Sequence, residues 1–172
     1  LAGALIAAVL ALGATVAVTL GSEYKAQRCR ELGADIVIDY HDEDFAEILR
    51  DRADVILDIM GAKYLPRNID ALAPHGRLVI IGMQGGVEGT LNIGALLAKR
   101  GRVSATNLRG RPATGPHSKA EVVAAVRAQV WPLLADGAVR PVVSARLPLA
   151  DAAAAHDLLN SPESVGKVLL TP

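Results

Sequence analysis

Cysteine is almost missing: Cys29 is the only one in 172 residues. One thiol excludes an internal disulfide and a cysteine-rich zinc site, and it points to a reduced, cytoplasmic setting. Cys29 falls mid-helix in the pattern described below, with nothing nearby to activate it, and reads as an inert helix residue. An excess of either charge is also missing, since eighteen Lys and Arg balance eighteen Asp and Glu with no long run of one sign. The chain therefore lacks the electrostatic footprint of a nucleic-acid or anionic-membrane partner. Its four histidines, His41, His75, His117 and His156, are scattered without ligand spacing, so no metal site is visible and surface positions are expected for them. No Ser/His/Asp or Cys/His arrangement, internal repeat or low-complexity linker stands out.

What is present is apolar. Hydrophobic residues make up 51% of the chain, ample for a sizeable core and incompatible with disorder. Residues 1 to 20 carry no charge and are about long enough to span a bilayer, so a membrane anchor is a rival reading. Against it, no basic stretch precedes the run, and Gly13 divides an Ala/Leu half from a β-branched half, Thr15 to Thr19. That switch reads as helix, turn and buried strand.

An α/β rhythm continues from there: TVAVTL, SEYKAQRCREL, DIVIDY, DEDFAEILRD, DVILDIM, YLPRNIDAL and RLVIIG alternate strand with helix. Alternation of this kind implies a parallel sheet, and strands apolar at nearly every position imply helices on both faces. Ser22 is an expected N-cap for the second helix, Gly33 its terminator, and Asp42 the cap of the next helix. After Gly82 come a glycine-rich loop, a short helix around NIGALLAKR and a strand-like run from Arg102 to Leu108. Beyond GRPATGPHS the pattern predicts an amphipathic helix from Ser118 to about Ala135, the segment RPVVSARLPL, a helix near Ala150 to Leu159, and a last strand, GKVLL.

Read in order, GATVAVTLGSEYKAQRCRELGADIVIDY, ADVILDIMGAKYLPRNIDALAPHGRLVIIG and ADAAAAHDLLNSPESVGKVLL resemble the medium-chain dehydrogenase/reductase superfamily, in its zinc-free quinone oxidoreductase branch. The likeness covers essentially the whole chain. Its most specific pieces are Gly21, Ser22 and Lys25, the run ending at Tyr40, the D-x-x-G from Asp58 to Gly61, and a closing G-K-V-L pattern stretched around the SPES loop. The resemblance implies a Rossmann-type doubly wound parallel sheet missing its first strand, because LAGALIAAVLAL aligns with the helix after the glycine-rich pyrophosphate turn, with Ala2 as its last small residue. The implied division is an NADP-binding Rossmann-type domain, incomplete at its N-terminus, over 1–117, and over 118–172 a C-terminal α/β tail belonging to the split substrate domain. The GroES-like remainder of that domain is not in the 172 residues, so the chain resembles a fragment.

An acid at the end of the second Rossmann strand selects NAD, whereas neutral and basic groups there accommodate a 2′-phosphate. TVAVTL ends in Leu20, Gly21 and Ser22, with Lys25 one turn into the helix, which favours NADPH. Glu23 would repel phosphate if turned inward, and Lys25 has an alternative as an ordinary solvated helix lysine. The resemblance puts Tyr40 near the adenosine end, with plain packing as its alternative. It puts Met60, Gly82, Met83 and Gln84 at strand ends where open α/β sheets bind ligands, and Asn107, Leu108 and Arg109 at the nicotinamide or its ribose. Glycine there would let the backbone approach a flat ring closely. Arg109 and Arg111 have the alternative of being exposed crossover arginines.

The function implied is hydride transfer from NADPH to a small-molecule quinone or α,β-unsaturated carbonyl, by a homodimer joined through the edge run Arg102 to Leu108. No catalytic side chain is implied, since the cofactor carries the chemistry. A rival reading is a catalytically inactive truncated Rossmann module that acts in binding or dimerisation only.

Overall fold

The computed structural model describes residues 2–161 and 164–172. Leu1, and Pro162 and Glu163 of the SPES loop, lie outside the described residues, as do the side chains of residues 2–5 and 7, Ala2 among them. In chain order the first elements are α1 (Ala2–Ala11), β1 (Ala17–Leu20), α2 (Glu23–Glu31), β2 (Ile36–Asp39), α3 (Phe45–Ile48), β3 (Ala53–Asp58), α4 (Leu65–Ala71) and β4 (Leu72–Ile80). They continue with α5 (Ile93–Lys99), β5 (Arg102–Ala105), α6 (Lys119–Gln129), α7 (Trp131–Ala135), β6 (Val143–Pro148), α8 (Ala152–Asn160) and β7 (Lys167–Thr171). Two compact units result, one of residues 1–42 with 120–172, the other of residues 43–119.

In the first unit β1 and β2 pair in parallel from Ala17 opposite Ile36 to Leu20 opposite Asp39, and β6 pairs in parallel with β7. Local chemistry sets the helix ends. Gly33 has φ +93°, its N–H donates to Arg30 O at 2.9 Å, and Ala34 N donates to Cys29 O at 3.0 Å. This is the Schellman pattern that glycine permits, and a Cβ on Gly33 would also sit 2.9 Å from the Leu10 side chain. Gly13, at φ +79°, ends α1 in the same way. Helix α1 has ten residues, and no helix among the described residues is long and apolar enough to cross a membrane. The predicted helix from Ser118 to Ala135 is broken into α6 and α7, because Pro132 has no N–H to continue the ladder.

In the second unit the strands follow the order β3-β4-β5, all parallel. A parallel crossover is right-handed, so two successive crossovers in one direction put α4 and α5 on the same face of the sheet. Within this unit one face is the covered one: Val55, Leu57 and Ile59 are 53%, 46% and 48% exposed, while Leu78 and Leu72 are fully buried. In the doubly wound order one further strand stands between those corresponding to β1 and β3. No described residue supplies it, and β1–β2 and β3–β5 form separate sheets.

The helix expected over DEDFAEILRD shrinks to four residues, and its cap is Asp44, not Asp42: Asp44 Oδ1 accepts from Ala46 N at 2.8 Å. Asp44 wins because it also meets Arg67 Nη2 at 2.8 Å, and that guanidinium lies 4.4 Å from the Phe45 ring centre. The Arg67 hydrogen bond, helped by the Ala46 amide, holds the Asp44 carboxyl below its ordinary pKa.

Lys99 accounts for the far end of α4. Its Nζ donates to Ile69 O, Asp70 O and Leu72 O at 2.6, 2.7 and 2.7 Å and pairs with Asp51 Oδ1 at 2.8 Å. Asp51 N and Arg52 N take Asp70 O and Ala71 O at 3.2 and 3.1 Å, so the last carbonyls of the helix are all satisfied. Because the Lys99 side chain is only 15% exposed, water would replace it poorly. We expect Lys99→Met to cost about 2 to 3 kcal/mol, read as a lower denaturant midpoint at unchanged slope. Asp51→Asn, which removes only the more exposed partner, should cost under about 1 kcal/mol.

Candidate functional site

In the first unit the candidate residues gather at the carboxyl ends of β1 and β2. Tyr40 N donates to Leu20 O at 3.0 Å, which extends the parallel pairing past β2 and brings Tyr40 beside Gly21. A Cβ built on Gly21 would run into the Tyr40 ring and come within 2.8 Å of His41 Nε2. A side chain at this position would push the ends of both rings aside. The Tyr40 and His41 rings are 4.7 Å apart at 55°, and Asp39 Oδ1 holds the His41 amide at 3.0 Å.

Ser22 is the N-cap of α2 as expected, extended at φ −162° and ψ 146°, with Oγ accepting from Lys25 N at 3.4 Å. Its hydroxyl proton is left to donate elsewhere. Glu23 is engaged by Arg30 Nη1 at 2.8 Å with an 81% exposed side chain, two turns down the helix and directed along it. The strand end thus presents a hydroxyl donor and an ammonium group, a pair suited to a phosphate ester at a helix N-terminus.

In the second unit Asp58, Ile80 and Ala105 stand in one register row across β3, β4 and β5. Met60, Gly82 and Asn107 lie two residues beyond that row on each strand, so three separate motifs converge on one edge of the sheet. Asp58 is buried, and its carboxylate accepts from Met60 N at 2.7 Å and Gly61 N at 2.9 Å. The turn so formed docks on the glycine-rich loop: Gln84 N donates to Ile59 O at 3.1 Å, Gly85 N to Met60 O at 2.7 Å, and Ala62 N to Gly86 O at 3.1 Å. A Cβ on Gly82 would lie 2.7 Å from Ile59 O, and one on Gly61, at φ +72°, 2.9 Å from Gly86 O. The space that glycine leaves at 82 is filled by the chain itself. Met83 and Gln84 are exposed at the loop tip and Met60 is half-buried.

The strand predicted from Arg102 to Leu108 ends at Ala105. Thr106 N still bonds Ile80 O at 3.0 Å, and then Asn107 Oδ1 captures Arg109 N at 3.0 Å and Gly110 N at 3.4 Å, closing an Asx turn. Leu108 and Arg109 are exposed on that turn. Arg111, left open by the sequence, folds back: Nη1 donates to His117 O at 3.0 Å and Nη2 to Thr106 Oγ1 at 3.2 Å. A shallow, open depression is lined by Ala105, Thr106, Asn107, Gly110, Arg111, Pro112 and His117. Sequence reasoning missed Asp58 as the organiser of its turn, although an acid two residues before the Met60-Gly61 turn was a readable signal. It also missed His41 beside Gly21, for which periodicity gives none. Burial pushes the Cys29 thiol pKa up, in keeping with an unreactive residue.

A family model described as "Zinc-binding dehydrogenase" matches residues 32–170. The chain is 30% identical over 168 residues to the 2-haloacrylate reductase of a Burkholderia species, covering 94% of this chain and 49% of that protein. It is 31% identical over 170 residues to quinone oxidoreductase 1 of Escherichia coli K12, covering 94% of this chain and 50% of that protein. The crystal structure of the Escherichia coli quinone oxidoreductase complexed with NADPH superposes with a TM-score of 0.78 at 30% identity, over 99% of this chain and 53% of that one. The chain spans about half the length of the curated relatives it matches. These likenesses establish the Rossmann-type α/β fold.

Asp58→Ala should strip two backbone amides of their acceptor at a cost of about 2 to 4 kcal/mol. Amide exchange at Met60 and Gly61 should accelerate with it, while Asp58→Asn, which keeps one acceptor oxygen, should fall about halfway between.

Proposed function

The chain belongs to the zinc-binding dehydrogenase family within the medium-chain dehydrogenases/reductases, and from that premise we propose that the protein containing it is an NADPH-dependent oxidoreductase of the quinone oxidoreductase type. The observation that carries the reading is the row of Met60, Gly82 and Asn107, each two residues beyond an in-register strand end, where open α/β sheets take their ligands. In this reading Gly21, Ser22, Lys25 and Tyr40 receive the adenosine 2′-phosphate end, and Met60, Gly82, Met83, Gln84, Asn107, Leu108 and Arg109 the nicotinamide end. The absence of an acid after β1, with Glu23 held by Arg30, supports NADPH over NADH. A solved relative is a complex with NADPH, which supports the same cofactor.

Bound there, NADPH would supply a hydride to a quinone or an α,β-unsaturated carbonyl. The chain's own contribution is orientation: Asp58 holds the turn that carries Met60, the docked glycine loop carries Met83 and Gln84, and Arg111 with Asn107 Oδ1 pins the third turn. Met60, Met83 and Leu108 provide apolar cover that keeps water from a hydride. The family's description names zinc. Among the described residues no three His, Cys, Asp or Glu side chains are grouped to hold a metal, so these residues do not fit one and no step passes through it.

The reading includes a cofactor domain over 1–117 and a segment of the substrate domain over 118–172. It also includes a homodimer. Strand β5 is the edge of its sheet, bonded only to β4 among the described strands, and an unpaired edge invites a second copy.

The test is NADPH oxidation by the protein that contains this chain, with 1,4-benzoquinone as acceptor against a no-enzyme control. No turnover and no nucleotide binding would leave the inactive-module reading standing. Lys25→Ala should weaken NADPH binding by about 1.5 to 3 kcal/mol, at least about tenfold, and leave NADH unchanged. Equal losses for both cofactors would remove Lys25 from the phosphate site. Sedimentation at micromolar concentrations should return a dimer, and Val103→Pro on β5 should shift it toward monomer.

A further inference from the structure

The two sides of Gly21 are unequal in a way that the assigned residues do not explain. On the helix side stand Ser22 and Lys25. On the strand side, the His41 imidazole reaches over Gly21 so closely that a Cβ there would be 2.8 Å from its Nε2. The ring is placed from three directions: it lies against Tyr40 at 4.7 Å and 55°, its backbone amide is fixed by Asp39 Oδ1 at 3.0 Å, and Gly21 leaves it room. Among the described residues neither Lys25 Nζ nor the His41 side chain is in an ion pair, while the nearby Glu23 and Arg30 are spent on each other. An imidazole nitrogen therefore stands over Gly21, the residue that directly precedes the Ser22 cap.

A phosphate monoester offers three acceptor oxygens and close to two negative charges, and charge-assisted donors on more than one side hold it better than donors on one side alone. We propose that His41 is a specificity-determining residue that donates to the 2′-phosphate of the cofactor across Gly21 from Ser22 and Lys25. The inference rests on the NADPH reading above and names a further residue of that site. It also accounts for glycine at 21: a side chain there would displace both the Tyr40 ring and the imidazole. Tyr40 is the wall that sets the imidazole angle, and Asp39 acts on the backbone of His41.

The test isolates this end of the cofactor. Adenosine 2′,5′-bisphosphate and adenosine 5′-monophosphate carry no nicotinamide, so their binding to the protein that contains this chain reports on the 2′-phosphate without any turnover. By calorimetry the unaltered protein should prefer the bisphosphate. His41→Ala should shrink that preference about 5- to 10-fold, through the bisphosphate alone, toward the lower end of what a hydrogen bond to a charged group supplies at an exposed position. His41→Arg, which supplies a charged donor there, should recover most of it, and His41→Gln, a neutral donor, part of it. A preference unchanged in His41→Ala, or equal weakening of both nucleotides, would overturn the assignment of His41 and leave the NADPH reading intact. Failure of the unaltered protein to prefer the bisphosphate would overturn the NADPH reading and this inference with it. His41 is exposed, so the variants should keep the unaltered protein's denaturant midpoint; if His41→Ala does not fold, the comparison of His41→Arg with His41→Gln decides, equal preference in the two overturning the assignment.

Discussion

Asp58 sits buried at the end of β3 with its carboxylate turned onto the two amides that follow it. A buried carboxylate is tolerable only when its oxygens are satisfied, and here backbone N–H groups satisfy them at the point where the strand must stop. The consequences spread outward. The Met60-Gly61 turn acquires one shape, the glycine loop after β4 docks on it by three backbone bonds, and the space at Gly82 closes over Ile59 O. Because Asp58, Ile80 and Ala105 share a register row, the turn this carboxylate holds lies on the same sheet edge as the turns after β4 and β5.

The same accounting of backbone groups explains the opposite side of the second unit. Lys99 answers three carbonyls at the end of α4, and the Asp51 and Arg52 amides, from the turn before β3, bond Asp70 O and Ala71 O. Right-handed crossovers then stack α4 and α5 on a single face and leave Val55, Leu57 and Ile59 uncovered. Within these three strands the winding runs one way, so their own helices cover one side.

Glycine illustrates how one residue type serves different constraints. Gly13 and Gly33 are required by backbone angle, because each ends a helix in the left-handed region. Gly21 leaves room for the ends of two aromatic side chains, and Gly82 is required by a carbonyl oxygen of the adjoining turn. At Gly82 the carbonyl of Ile59 leaves no room for a Cβ, so this glycine is needed by the packing of its own loop.

Elements whose cause lies within four or five residues were legible in the sequence: the Ser22 cap, the Gly13 and Gly33 terminators, and the alternation of strand and helix that names the fold class. The motif order from Gly21 to the closing GKVLL likewise carried the family, since spacing along a chain survives without coordinates. Causes further away were not legible. Asp44 displaces Asp42 as a cap because Arg67, twenty-three residues on, holds it, and Lys99 reaches back about thirty residues to α4. His41 joins Gly21 only because β1 and β2 pair in parallel with Leu20 opposite Asp39. The split of α6 from α7 was legible in Pro132 and went unread, whereas the early end of β5 depended on where the Asn107 side chain turned. Propensity and capping are settled by neighbours in sequence, but the partner of a buried donor, the room at a glycine and the face a helix covers are settled by chain direction and register, which only the folded structure supplies.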